Sequence, residues 1–233
     1  MLLLIWWYPD TYELNRIFPN LDHLFASAEQ WMFGCQPALY FSATYPQKVV
    51  SELMDMGYSI YYPLILFVVL AYLFERYKEM ERMAFVVLAS FFIYYICFDI
   101  LPVVGPTFYY KAVGLDTISE GIFPSLGHYF DTHTACLTTP GYADGFFYNL
   151  VEGAKAAGER PTAAFPSSHV GVATVCMLLL YRLRNKWIFF VLLLPYVFLC
   201  LATVYIHAHY VIDAIAGLVS GVLIYLALMR IKL

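Results

Sequence analysis

Two histidines and an aspartate in the last third of the chain could do chemistry together. His169 follows Phe165-Pro166-Ser167-Ser168, and His209 opens the stretch His209-Tyr210-Val211-Ile212-Asp213. Each sits where a polar segment meets a long apolar run. His209 and Asp213 are four apart, so on a helix they share a face, and the carboxylate can accept a hydrogen bond from one ring nitrogen. That would fix the tautomer and leave the other nitrogen as nucleophile or base. The same spacing also suits a buried polar pair that ties two helices together. In a membrane span, however, an ionisable residue costs about 2.5–3.5 kcal/mol at mid-depth, so it usually marks function.

Pro166 and Ser167 are helix-start signals. The free N–H groups and positive dipole end of such a start suit a phosphate oxygen, although simple capping explains the serines as well. His169 beside them could protonate a leaving alkoxide, which contributes roughly 10²–10⁴-fold. This set points to phosphoryl transfer, with His169, His209 and Asp213 catalytic. Ser167, Ser168, Arg160 and His207 are the substrate-binding candidates. Arg160 suits a phosphate through its guanidinium fork, or is an ordinary exposed loop charge. His207 adds a donor, or is an interfacial histidine.

The elements that must position these residues are membrane helices. Of 233 residues 62% are hydrophobic and 13% charged, with mean hydropathy +0.68. A soluble domain carries about 25% charged residues, so the composition indicates a polytopic membrane protein. A net charge of −4 gives no sign of the basic patch that nucleic acid needs, and no nucleic-acid partner is expected. Tyr and Phe crowd near the ends of apolar runs, as in an interfacial belt. Of the five cysteines, Cys35 and Cys136 fall in polar loops and could pair in an oxidising compartment. His128, Asp131 and His133 match no standard metal spacing, and no metal ligand is assigned.

The expected fold class is all-α, a membrane helical bundle with five clear spans, or six, and an outer cap. The spans are 56–74, 83–101, 169–181, 187–206 and 211–229. Residues 1–55 form an N-terminal part, with Met1 to Tyr8 as a partial span or interfacial piece. A helix from Asp22 puts Leu21, Leu24, Phe25, Ala28, Trp31 and Met32 on one apolar face, to lie on the membrane or cap the bundle. Residues 56–233 form the transmembrane core, in which 102–166 reads as a long polar segment. The basic groups at 76–82, 182–186 and 230–232 fall on one side if the spans alternate. The positive-inside rule makes that side cytoplasmic, which puts the motif histidines at the extracytoplasmic face.

The paired motifs, Pro166-Ser167-Ser168-His169 and His209 to Asp213, resemble those of the type 2 phosphatidic acid phosphatase superfamily over roughly residues 83–229. The resemblance implies that His209 attacks phosphorus to form a phosphohistidine, that Asp213 orients it, that His169 protonates the leaving group and that Ser167 touches the phosphate. The phosphatase branch has Lys, six residues, then Arg-Pro; here only four residues separate Lys155 from Arg160-Pro161. It also has Ser-Arg well before the nucleophile, where Ala202 and Thr203 stand here. Ala164-Phe165-Pro166-Ser167, Thr203-Val204-Tyr205 and Gly105-Pro106 are more similar to the inositol phosphorylceramide synthase and sphingomyelin synthase branch. That branch implies transfer of a phospho-headgroup, inositol phosphate-like, from a glycerophospholipid donor to a ceramide-like lipid alcohol acceptor. No cofactor or metal is implied, because a neutral histidine can attack unaided. The alternatives are a lipid phosphate phosphatase acting on phosphatidic acid or an isoprenyl phosphate, and a non-enzymatic transporter or scaffold.

Overall fold

The computed structural model describes residues 4–232. Among the described residues the chain forms twelve α-helices and two short 3-10 turns, with no strand. The expected N-terminal piece Met1 to Tyr8 falls partly outside them. Helix α1 (Leu4–Asn15) lies along α6 (Met80–Ile100), with Trp7 edge-on to Phe92 and Asn15 Nδ2 donating to the Phe98 carbonyl.

The long apolar helices make up the bundle. Those long and apolar enough to cross a membrane are α6 with the turn before it, α11 (Lys186–Tyr205) and α12 (Val211–Leu228). The pair α4 (Lys48–Ser59) and α5 (Tyr61–Glu75), bent by 48° at Ile60, is apolar and long enough to be a fourth, broken crossing or a re-entrant loop. Helix α10 (Ser168–Tyr181) is apolar but has only 14 residues. At 1.5 Å per residue that is about 21 Å, short of the roughly 30 Å hydrocarbon layer. By length the candidate crossings therefore number three, or four with the bent pair, and α10 as a fifth is not shown. Helix α10 is packed on nearly all sides by α5, α6, α11 and α12, and most of it is buried by protein.

One end of the bundle collects the basic groups. Arg82 donates to the carbonyl oxygens of Met229 and Ile231, and Arg182 lies 3.3 Å from Glu79. The turns after α5 and α10 and the segment after α12 thus meet. His169 and His209 lie at the other end, at the start of α10 and just before α12.

The short helices gather round that second end. They are α2 (Asp22–Phe33), α3 (Pro37–Thr44), α7 (Pro106–Val113), α8 (Leu115–Ser119) and α9 (Phe146–Gly158). The segment expected to be a polar loop is thus substantially helical, and Val103, Phe108, Tyr109 and Tyr110 are buried in a second core of their own.

Helix α2 is amphipathic, with its apolar face turned away from the bundle and its polar face turned in. Its buried residues are Asp22, Ala26 and Glu29, while Leu24, Trp31 and Met32 are exposed, Trp31 to 86%. The carboxylates turn inward because backbone N–H groups await them there, and a buried polar group is stable only when so paired. Cys35 and Cys136 are both free thiols.

Candidate active site

The site lies where the starts of α10 and α12 meet. Small residues bring the two backbones together. In lipid, close packing and polar contacts rather than the hydrophobic effect hold helices side by side. A Cβ at Gly217 would overlap the Ser167 carbonyl oxygen, and one at Gly221 would lie 2.6 Å from that of Gly171. The approach lets the Ser167 N–H donate to the Asp213 carbonyl at 3.0 Å.

Ser167 is the N-cap of α10. Its hydroxyl accepts the Val170 N–H at 3.4 Å, and the residue is fully buried. Ser168, the first helical residue, is half-buried. His169 in the first turn lies against Tyr58 at 4.8 Å and Tyr61 at 4.4 Å between ring centroids. Its ring is edge-on to that of His209 at 5.7 Å.

His209 stands in the turn between α11 and α12. Its Nδ1 lies 2.9 Å from the Ala164 carbonyl oxygen. A carbonyl only accepts, so Nδ1 carries the proton and Nε2 keeps its lone pair. This replaces the expected hydrogen bond to Asp213, whose Oδ2 is 3.7 Å from Nδ1 and instead accepts the Tyr210 N–H at 2.9 Å. The i, i+4 rule requires both residues to be helical. Here the helix begins at Val211 with Tyr210 as its N-cap, so His209 lies just before it. Asp213 is fully buried, and its Oδ1 has no partner. Burial pushes the His209 imidazole down to about 4, against the opposing pull of the Ala164 carbonyl and Glu159, so the ring is neutral near pH 7.

The turn is fixed from several sides. The His209 N–H donates to the Thr203 carbonyl at 2.9 Å, and the Thr107 N–H to that of His207 at 2.8 Å. Gly105, with φ +88°, allows this docking, since a Cβ there would sit 2.6 Å from the Ala208 oxygen. On α2, Asp22 accepts from the Tyr210 hydroxyl at 3.0 Å and from the N–H groups of Val104 and Gly105 at 2.7 and 2.8 Å. Glu29 Oε1 accepts from the N–H groups of Val211 and Ile212 at 2.5 and 3.2 Å. Burial pushes the Glu29 carboxyl up to about 7, despite these two bonds. Two residues beside the site, Ala163 and His207, take the left-handed backbone, with φ of 70° and 66°.

The remaining candidates divide. His207 is buried with Nε2 2.9 Å from Ser42 Oγ, so it braces the turn against α3. Burial, and then Lys155, hold its imidazole down at about 4. Arg160 is exposed beyond the end of α9, within electrostatic reach of Tyr12 on α1. The cation that does turn inward is Lys155. Its side chain is 7% exposed, 3.2 Å from Glu152 and 3.4 Å from the Leu137 carbonyl oxygen. Glu152 and Lys155 are one turn apart on α9, and Glu159, just past its end in extended backbone, interacts electrostatically with both Lys155 and His209. In the segment between α8 and α9, His128 pairs with Asp131 at 3.4 Å, and His133 stacks on Tyr129.

Sequence reasoning missed Tyr58, Tyr61, Asp22 and Glu29, and gave Lys155 no role. Lys155 was discoverable from its place before Arg160-Pro161. The tyrosines and the α2 carboxylates carry no local signal.

No curated protein and no solved structure matches the chain. A family model of the PAP2 superfamily matches residues 23–227, which takes in all but the first residue of α2 and both histidine motifs. The match and the apolar helices together place the chain in the PAP2 superfamily, as an integral membrane enzyme of the phosphatase and phosphotransferase class that acts on lipids.

Proposed function

We propose that the protein moves a phospho-headgroup, inositol phosphate-like, from a glycerophospholipid to a ceramide-like lipid alcohol, through a phosphohistidine at His209. The observation that carries this reading is the His209 tautomer. Nδ1–H is held by Ala164, and Nε2 retains its lone pair beside His169. Nε2 attacks phosphorus as the bond from phosphorus to the glycerol oxygen breaks. The leaving alkoxide takes a proton from His169, whose protonated form is favoured by the arriving anionic phosphate. The phosphorylated ring carries positive charge, which Asp213 at 3.7 Å and the Ala164 carbonyl offset. His169 then removes the acceptor's hydroxyl proton, the acceptor oxygen bonds to phosphorus, and Nε2 is released. Lys155 is the phosphate-binding cation in this reading, and Ser168 with the first N–H groups of α10 faces the phosphate.

Two further features support it. Tyr58 and Tyr61 wall His169, and His209 is 4% exposed, which favours a lipid acceptor over water. The basic groups meet at the end of the bundle opposite the histidines. The positive-inside rule makes that end cytoplasmic, so the site faces outward, with α10 as the short fifth crossing under a cap of α2, α3 and α7–α9. Both substrates then enter sideways from the outer leaflet.

The test is a rapid quench with a phosphorus-labelled phospholipid donor. Acid-labile, base-stable label on the parent protein, absent from His209→Ala, is the expected result. Label retained in His209→Ala would remove that residue from the nucleophile role. Release of inorganic phosphate from phosphatidic acid or an isoprenyl phosphate would identify a phosphatase instead.

A further inference from the structure

We infer that Glu29 of α2 is a positioning residue for catalysis, which sets the place of His209 by capping α12 from another part of the chain. It rests on the phosphotransfer reading of the site, and it assigns a role to a helix that carries none of the chemistry.

The geometry supplies the argument. A helix leaves its first N–H groups without partners, and a side chain at the N-cap usually serves one of them. The N-cap of α12 is Tyr210, whose hydroxyl is bonded to Asp22. The N–H groups of Val211 and Ile212 are taken by one oxygen of Glu29, 182 and 183 residues away in sequence. Glu29 is fully buried, and in its ionised form it also meets the positive end of the α12 dipole. Val211 is two residues from His209. Ahead of His209 the backbone is held by Thr203 and the ring by Ala164. Behind it, Tyr210 is held by Asp213 and Asp22, and the helix start by Glu29. A shift of the α12 start therefore moves Nε2 against a phosphorus atom placed by other elements, and a displacement of about 1 Å costs up to 10²-fold in rate.

Glutamine keeps an acceptor oxygen at the same reach, whereas alanine does not. Glu29→Ala should lower kcat between about 10- and 10²-fold with KM within about twofold, because substrate capture is untouched. Glu29→Gln should recover most of kcat. Ser27→Ala, on the exposed side of the same helix, should match the parent. A second readout does not need turnover: carbethoxylation of His209, followed by mass spectrometry, should be faster in Glu29→Ala than in Glu29→Gln or the parent. If Glu29→Ala does not fold, Glu29→Gln and Glu29→Asp are compared in both assays, and Asp, one methylene shorter, should be the slower enzyme. Unchanged kcat and unchanged His209 reactivity in Glu29→Ala would overturn the inference. So would equal losses in the Gln and Ala variants. Loss of the labelled intermediate in every protein tested, parent included, would overturn the phosphohistidine reading and leave the His209 reactivity test standing.

Discussion

The start of α10 is completed by its own neighbourhood in sequence. Ser167 caps Val170 three residues on, and His169 follows directly. The start of α12 is completed by residues from elsewhere. Asp22 and Glu29 reach Tyr210, Val211 and Ile212 from α2, and Ala164 holds the His209 ring. The difference separates two tasks. A local cap sets where a helix begins. Carboxylates from a distant helix also fix where that beginning sits in space, which would matter if His209 is the proposed nucleophile and must meet phosphorus at bonding distance.

The most damaging way to break the comparison is to part the two starts. Gly217→Ala places a methyl group on the Ser167 carbonyl oxygen, a backbone atom that cannot rotate away. The expected loss is about 1–3 kcal/mol of stability, with kcat down by more than about 10²-fold, read by thermal unfolding in detergent and by turnover. Gly153→Ala on α9, where the added carbon meets nothing within 4 Å, is the control and should be neutral or slightly stabilising.

Next comes the cation proposed to bind the phosphate. Lys155→Met should raise KM about tenfold or more, while Arg160→Ala, at an exposed position, should change it less than about twofold. The reverse order, measured on purified variants, would return Arg160 to the phosphate.

Ser167→Ala tests the local cap alone. It should cost about 1 kcal/mol of stability and leave kcat within a few-fold, in contrast to Glu29→Ala. Equal catalytic losses would erase the distinction between the two starts.

The smallest effect is on pH. Burial holds His207 and His209 at about 4, below the 6.5 of a free imidazole. The unfolded chain then binds more protons between those values, so the stability they contribute is complete above about pH 6.5 and is lost as pH falls toward 4. His207→Asn, which tolerates the left-handed backbone, should flatten that acid limb of a melting-temperature profile.

Legibility in the sequence follows the same division. The apolar runs announced the long helices, since their periodicity and length are local properties. Pro166-Ser167 announced the start of α10 for the same reason. The partner of His209 was misread because the i, i+4 rule presumes one helix, while the left-handed His207 and the N-cap at Tyr210 leave His209 outside it. The inward polar face of α2 is not legible in the sequence, because no hydropathy pattern records N–H groups waiting inside for Asp22 and Glu29. Arg160 and Lys155 were weighed by type and spacing, and only the course of the chain after α9 shows which one turns in.

The left-handed backbone at Ala163 and His207 has a bearing on how this enzyme would respond to selection for heat resistance. Each non-glycine residue held there costs about 1–3 kcal/mol, and the first lies beside the carbonyl that holds His209. Glycine at 163, or asparagine at 207, relieves that cost at once, so a screen for thermostable variants would find these two positions early. The same exchanges loosen the two segments that aim the imidazole. Durability gained there would be paid for in turnover, and productive stabilising changes should be sought on the far, basic end of the bundle.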